Sequence, residues 1–185
     1  MSTDSNRRSV AIHEAAHAVA FHRAGFDPYR VTIVPDHDRG TEGTASQLDG
    51  PRLFRNAAGE LCQDLVDSRA LIVSLLAGLA ANLEDGEPED RAAIGAGSDV
   101  EDARHYLQRW GLEWSFEDAM RAAHESVRKE WPVIEAVAAE LLERETLDDT
   151  EVELVILIAD GDADAVAALA GYRDSIERFR ESRRT

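Results

Sequence analysis

The sequence predicts a mainly α-helical protein with one small β element. Apolar residues recur at intervals of three and four through most of the chain, a spacing typical of helices that bury one face. One run of β-branched residues, 31–34, stands out, and Pro35 ends it. With 44% hydrophobic and 31% charged residues among 185, the composition is that of a globular protein large enough to bury a core.

The N-terminal part begins with a predicted helix. Residues 7–24 form a largely apolar stretch, and Gly25 ends it because glycine readily adopts the backbone that closes a helix. After a short turn, residues 29–34 predict a strand. Residues 36–43 are polar and predict a loop, and 44–48 predicts a short partner strand.

A longer apolar pattern follows at residues 53–83. Its helical spacing predicts one long helix or two shorter ones, with Gly59 as the weakest point. Residues 84–97 contain charged residues, a proline and glycines, and predict a loop. Ser98 and Glu101, three residues apart, predict a capping box that opens the next helix.

The C-terminal half is predicted to be helical. Ser115 opens a helix that Pro132 either kinks or divides into a second segment, 133–144. Asp149 or Thr150 then caps another short helix.

A final helix is predicted at residues 163–183. We predict that it forms a C-terminal helical extension, 161–185, attached to a single domain of residues 1–160. Its apolar residues could pack on the body of the protein or on a neighbouring subunit. These residues are Val166, Leu169, Ala170 and Ile176.

Charge and composition disfavour several classes of partner. With a net charge of −17, the chain lacks the basic footprint that nucleic acids and anionic membranes require, so we expect neither as a partner. The longest apolar run, 70–83, is too short to span a bilayer. The single cysteine, Cys62, cannot form an internal disulfide or a thiolate metal site. We predict a soluble cytoplasmic protein and leave a homo-oligomer open.

The strongest chemical signal is His13-Glu14-Ala15-Ala16-His17, which fits H-E-x-x-H. Two histidines four residues apart share one face of a helix and can bind one zinc ion. Glu14 would lie beside the metal as a general base and take a proton from a zinc-held water, whose pKa falls to roughly 7. The alternative is a solvated face with two ordinary histidines. Apolar neighbours disfavour it, because unpaired polar rings are costly there.

Two histidines do not complete a catalytic zinc site, which uses three protein ligands. Spacing alone leaves the third ligand open. His37 lies in a predicted loop and could approach the metal, whereas His22, His105 and His124 are better explained as surface or packing residues. Many carboxylates also compete for the role, and Glu84 is one of them.

Five blocks of sequence, spread over roughly residues 9–155, resemble the peptidase domain of the FtsH-type, AAA-coupled zinc proteases. In that family the aspartate of a G-A-x-x-D turn is the third zinc ligand, and the resemblance places it at Asp99. An acid in the first turn of a helix is also favourable by itself, and both explanations can hold. The blocks are His13-Glu14-Ala15-Ala16-His17, Val31-Thr32-Ile33-Val34-Pro35, Leu76-Ala77-Gly78, Gly95-Ala96-Gly97-Ser98-Asp99 and Leu141-Leu142-Glu143-Arg144-Glu145-Thr146-Leu147.

The resemblance implies an FtsH-peptidase-like helical zinc metallopeptidase fold. It implies zinc held by His13, His17 and Asp99, with Glu14 as the catalytic base. The chain departs from the family after the Leu-Ala-Gly block. The family usually has paired glutamates there, whereas this chain has Asn82 and Leu83. It also contains no G-x-x-x-x-G-K-[ST] phosphate loop, so we expect no ATPase activity from it and leave a separate ATPase partner open.

These features predict a zinc-dependent endopeptidase that hydrolyses unfolded polypeptides or peptides. The strand at 31–34 is expected to offer its edge to an extended substrate. The alternative is a binding or regulatory module with a peptidase fold and little or no activity. The replacement of the paired glutamates and the absence of an ATPase motif favour this alternative. A helical structural domain with an incidental motif is the least favoured interpretation.

Overall fold

The computed structural model describes residues 3–26, 28–35, 43–47, 53–55, 61–63 and 65–183. This part of the chain is mainly helical with a small three-stranded sheet, as the sequence predicts. His37 and Gly59, which the sequence singles out, lie outside the described residues. The elements are α1 (Thr3–Arg23), β1 (Pro28–Thr32), β2 (Thr44–Gln47), β3 (Leu53–Arg55), β4 (Leu61–Gln63), α2 (Leu65–Glu84), α3 (Glu89–Gly95), α4 (Gly97–Arg109), α5 (Phe116–Arg144), β5 (Thr146–Asp148), α6 (Asp149–Ala159) and α7 (Ala163–Ser182).

Helices α1, α2 and α5 pack on one another and form the centre of the core. Alanines on the contacting faces allow these helices to approach closely. Larger aliphatic residues such as Ile12, Leu76 and Ile134 fill the space between them and are almost fully buried. Burial of one such side chain contributes about 1.5–3 kcal/mol. The two histidines of the motif therefore lie on one of the most tightly packed helices of the protein.

A three-stranded antiparallel sheet covers one side of this core. Its strand order is β2-β1-β5, so β1 is the central strand and pairs on both sides. Val31 of β1 is opposite Ala45 on one side and Leu147 on the other. Strands β3 and β4 form a separate antiparallel pair. Strand β5 was not predicted, because its three residues lie directly between two helices and are too few for their alternation to indicate a strand.

Two sequence predictions for residues 53–97 are wrong. The helix predicted over 53–83 begins only at Leu65, and strands β3 and β4 occupy part of the stretch before it. Leucines spaced at three and four cannot by themselves distinguish a helix from short strands separated by turns. The predicted loop at 84–97 contains helix α3, which has acidic residues in its first turn, where the helix dipole favours them.

The helix caps are partly as predicted. Ser115 caps α5, and its hydroxyl accepts from the backbone N–H of Asp118 at 3.0 Å. The capping box predicted at Ser98 is wrong, because α4 begins at Gly97 and its N-cap, Ala96, has no side-chain hydrogen bond. The predicted cap of α6 is also wrong by at least one residue, since Asp148 caps this helix in a capping box with Glu151.

Helix α5 continues through Pro132 as a single helix of 29 residues. Of the two alternatives left open by the sequence, a division into two segments is wrong. The helix is held by the burial of one whole face, including Val127, Ile134 and Leu141. This tertiary packing outweighs the cost of one missing backbone donor.

The predicted C-terminal helix is present as α7 and packs mainly on α6. Its Leu169 is buried, whereas Val166 is 57% exposed, so only some of the predicted apolar positions face the body. The Arg173 guanidinium donates to Glu140 at 2.6 Å and to Glu151 at 2.9 Å. The division of the chain at residue 160 stays a prediction. In the described part of the chain, no helix combines the length and apolar character needed to cross a membrane.

Candidate metal centre

An open cleft lies between helix α1, helix α2, the α3–α4 junction and strand β2. Its volume is about 680 Å³. Both histidines and the glutamate of the H-E-x-x-H motif line it, and so does Asp99. Two helices far apart in the chain, α1 and α4, therefore bring the predicted site residues together.

Helix α1 presents His13 and His17 to the cleft on consecutive turns. The two side chains are buried, and the residues are only 7% and 5% exposed. Their Nε2 atoms lie 3.0 Å apart. This burial contradicts the alternative of two ordinary histidines on a solvated face.

Asp99 comes from the first turn of α4. Its Oδ2 lies 3.2 Å from Nε2 of His13 and 3.4 Å from Nε2 of His17. One ligand atom from each of these three residues falls within 4.8 Å of the others. We call this group the His13–His17–Asp99 triad.

Helix α2 forms the floor under the triad at Gly78. A Cβ atom placed on this glycine would lie 2.6 Å from Nε2 of His13 and 2.6 Å from Nε2 of His17. Any larger residue would therefore occupy the space that the two imidazole nitrogens face. Gly78 belongs to the Leu76-Ala77-Gly78 block, but its place in the sequence predicts no role, and only the packing of α2 on α1 reveals one.

Hydrogen bonding fixes the orientation of His17. Its Nδ1–H donates to the backbone carbonyl of Ser74 at 2.7 Å. A neutral imidazole that donates through Nδ1 has its lone pair on Nε2, and this lone pair faces the cleft. Metal-binding histidines commonly have such a second hydrogen bond, because it sets the tautomer and the ring orientation.

Glu14 is also on α1, and its carboxylate contacts residues 43–45 at the start of strand β2. The residue is 6% exposed, and its carboxylate accepts a hydrogen bond from the backbone N–H of Ala45. A Cβ atom on Gly43 would lie 2.7 Å from Oε1 of Glu14, so the chain approaches this carboxylate more closely than any other residue type would allow. Gly43 and Ala45 were not found by sequence reasoning, because no local pattern relates them to α1.

The triad and Glu14 perturb one another electrostatically. Burial raises the pKa of the Glu14 carboxyl, and the nearby His13 and His17 only partly offset this effect. Burial would raise the pKa of Asp99 as well, but hydrogen bonds from both histidines outweigh it and hold the pKa well below its usual value. Burial would lower the pKa of His17, yet the hydrogen bond and charge of Asp99, helped by Glu14, raise it to about 9.

The other candidate ligands do not join the triad. Glu84 is exposed and accepts from Arg128 at 2.9 Å, so its carboxylate is engaged on the surface. His105 is also exposed, and His124 lies on α5. Within the described residues, the triad is the group of histidine and acidic side chains that could hold a metal ion.

The donor set of the triad fits a metal ion. Two buried imidazole nitrogens from α1 and one partly buried carboxylate oxygen from α4 converge, and the glycine below them leaves room. Three protein donors on one side leave further coordination positions on the side of the open cleft. No protein-family model and no curated protein sequence matches the chain. The interpretation of the site therefore depends on its motif and its geometry.

Proposed function

We propose that the chain is a zinc-dependent endopeptidase of the FtsH peptidase type that hydrolyses peptide bonds of unfolded polypeptides. The observation that carries this proposal is the convergence of the His13–His17–Asp99 triad with a buried glutamate in one open cleft. The family part of the proposal is supported by the five sequence blocks alone. We further propose a cytoplasmic protein, in keeping with its single cysteine.

Zinc is the metal that we propose for this donor set. Two neutral imidazoles are borderline ligands that match zinc, one carboxylate oxygen completes the set, and catalytic zinc sites commonly have three protein ligands. Hard cations such as magnesium and calcium prefer sites built from oxygen alone. When bound, zinc supplies Lewis acidity to a water molecule and to the carbonyl of the scissile bond.

Glu14 is placed to move the protons of the reaction. As a general base it takes a proton from the attacking water, and it then returns this proton to the nitrogen of the leaving amine. In the metal-free site, burial raises the pKa of this carboxyl, so it holds a proton more readily than an exposed carboxyl does. The hydrogen bond from the N–H of Ala45 keeps the carboxylate oriented while its protonation changes.

Strand β2 is the element that we propose for substrate binding. The expectation that residues 31–34 offer a free edge is wrong, because β1 pairs with β2 on one side and with β5 on the other. In the described part of the sheet, β2 is an outer strand, and Thr44 and Ala45 line the cleft. An extended peptide could add to this edge through its backbone groups.

Unfolded chains are the proposed substrates because addition to a strand edge requires an extended backbone. The 185 residues contain no phosphate-binding G-x-x-x-x-G-K-[ST] motif that would couple ATP to unfolding. A separate ATPase remains a proposed partner for folded substrates.

The test combines metal content with cleavage. We expect about one zinc per chain, removable by a chelator, and cleavage of an unfolded casein-like substrate. The substitution Glu14→Gln keeps the size of the side chain but removes its basicity, so turnover should fall by a factor on the order of a hundred or more at unchanged zinc content. Glu87→Gln is the matched control, since Glu87 is another acid that lines the cleft and should affect neither quantity strongly.

The alternative is a binding or regulatory module with this fold. It would replace the enzyme proposal if the wild-type protein held zinc yet cut no unfolded polypeptide, and if a partner bound the Glu14→Gln variant equally well. A second contradiction would be full zinc occupancy in the Asp99→Ala variant. That result would show that the third ligand lies elsewhere.

A further inference from the structure

We propose that Asn82 is a positioning residue for His13, and that its amide supports either tautomer of the ring and thereby sets the metal affinity. This inference rests on the metal site of the proposed function, but it does not require peptidase activity. Asn82 is 4% exposed and lies on α2, one turn after Gly78. Its side-chain nitrogen is 3.4 Å from Nδ1 of His13.

In the described part of the chain, no hydrogen bond to Oδ1 fixes the amide of Asn82 in one orientation. Its Oδ1 is buried and has no hydrogen-bond partner among the described residues, so no hydrogen bond there opposes a half-turn. A half-turn exchanges an oxygen and an NH₂ group of nearly the same size, and it converts the contact with His13 from a donor into an acceptor.

Each orientation of the amide matches one tautomer of His13. When NH₂ faces the ring, Nδ1 accepts and the ring proton lies on Nε2. That N–H has acceptors in Oδ2 of Asp99 at 3.2 Å and Nε2 of His17 at 3.0 Å. When the amide oxygen faces the ring, Nδ1–H donates to it, and the lone pair on Nε2 becomes available to a metal.

His13 and His17 therefore differ in how firmly their tautomers are fixed. The partner of His17 is the backbone carbonyl of Ser74, which can only accept and so favours the metal-binding tautomer whenever the ring is neutral. The partner of His13 can accept or donate. Metal binding must then include a change of tautomer and a half-turn of the Asn82 amide, and this change lowers the affinity.

A carboxylate at position 82 would remove this freedom, because an ionised carboxylate only accepts hydrogen bonds. Asn82→Asp should therefore bind zinc more tightly than the wild-type protein, by about tenfold. Asn82→Leu is of similar size but offers no acceptor, and it should bind zinc about tenfold more weakly. Hydrogen-bond partners of metal-binding histidines typically change metal affinity by factors of about 10–100.

The experiment measures zinc affinity by competition with a chelator, together with the side-chain ¹⁵N chemical shifts of His13. The shifts are measured in protein freed of metal by a chelator. The pH is about 10, so that His17, with a pKa of about 9, is mainly neutral. In protein freed of metal by a chelator, we expect mainly the Nε2–H tautomer of His13 in the wild type and mainly the Nδ1–H tautomer in Asn82→Asp. Zinc-loaded wild-type protein should also have the Nδ1–H tautomer. Gln108→Glu is the control, because it exchanges an amide for a carboxylate at an exposed position of α4 and should change neither readout.

Equal zinc affinities and equal His13 tautomers in the wild-type protein and Asn82→Asp would overturn the inference. If Asn82→Leu does not fold, the comparison with Asn82→Asp still decides it. A failure of the proposed function gives a different result. A wild-type protein that binds no zinc, or binds it without cleaving peptides, contradicts the enzyme, whereas the tautomers of chelated protein still test Asn82.

Discussion

The two walls of the cleft are built from different kinds of structure. The helical wall consists of α1, α2 and the start of α4, and it contributes the His13–His17–Asp99 triad from nearly buried positions. The strand wall consists of residues 43–45, at the start of β2, and these residues are half-buried. The helical wall contains the atoms that could bind a metal. The strand wall contacts the carboxylate of Glu14, which extends from α1.

This difference separates two requirements of the proposed metallopeptidase activity. Metal affinity should depend on the packing of α2 against α1, where Gly78 allows the imidazoles their space. Turnover should depend in addition on the approach of the strand wall to Glu14. A substitution in the strand wall should therefore lower turnover at unchanged zinc affinity, whereas a substitution in the helical wall should lower zinc affinity and, through it, turnover.

The largest effect is expected from Gly78→Ala. Its Cβ atom would lie 2.6 Å from Nε2 of both histidines, and the rings cannot withdraw easily, because both are buried and His17 is held by the carbonyl of Ser74. Zinc affinity should fall by at least about a hundredfold. Alanine favours a helix interior by about 1 kcal/mol over glycine, so a lower affinity could not be attributed to a weaker α2.

Gly95→Ala is the matched control for this prediction. Gly95 also lines the cleft, but a Cβ atom there would have no neighbour within 4 Å. Zinc affinity, measured by competition with a chelator, should match that of the wild-type protein. Equal affinities for the two alanine variants would mean that the imidazole nitrogens do not bind the metal from the side that Gly78 faces.

The helical wall is also the part of the site that could best be predicted from the sequence. The relation between His13, Glu14 and His17 is local, because helix geometry alone fixes residues one and four positions apart. Asp99 is 86 residues from His13, and spacing could not select it among the other acids. Only the resemblance to a family pointed to Asp99.

The strand wall could not be predicted, because its contacts depend on tertiary packing. A β-branched run indicates that residues 29–34 form a strand, but not which neighbours the strand has. Pairing of β1 with β5 joins residues more than 100 positions apart, and it removes the free edge that we expected. The contact between Gly43 and Glu14 is likewise set by how the sheet packs on α1, and no motif contains both residues.

A smaller effect is expected from Gly43→Ala in the strand wall. Its Cβ atom would lie 2.7 Å from Oε1 of Glu14 and 2.8 Å from Cγ1 of Val10, so either the carboxylate or the strand must move. A displaced general base should lower turnover of an unfolded substrate by about tenfold or more. Zinc content should stay that of the wild-type protein, because the triad is not contacted.

Gly97→Ala serves as the control for the strand wall, since this glycine lines the cleft and a Cβ atom there would meet nothing within 4 Å. Loss of zinc from Gly43→Ala would contradict the separation of the two walls. Unchanged turnover would show that the approach of residue 43 does not position Glu14.

The smallest effect concerns pH and the helical wall without metal. Folding raises the pKa of His17 from 6.5 to about 9, so protonated His17 stabilises the metal-free protein. This contribution is fully present below pH 6.5 and is lost as the pH rises through about 9. The raised pKa of Glu14 acts in the same direction. The lowered pKa of Asp99 has no effect in this range, because Asp99 is ionised in both the folded and the unfolded protein.

Protein freed of metal by a chelator should therefore melt a few degrees lower at about pH 9 than at pH 6.5. Zinc-loaded protein should lack this trend, since a metal takes the place of the proton on Nε2 of His17. Thermal melting at several pH values measures both, with exposed His105→Gln as a control that keeps the trend. A chelated protein whose melting temperature is constant over this range would show that His17 holds no proton in the absence of metal.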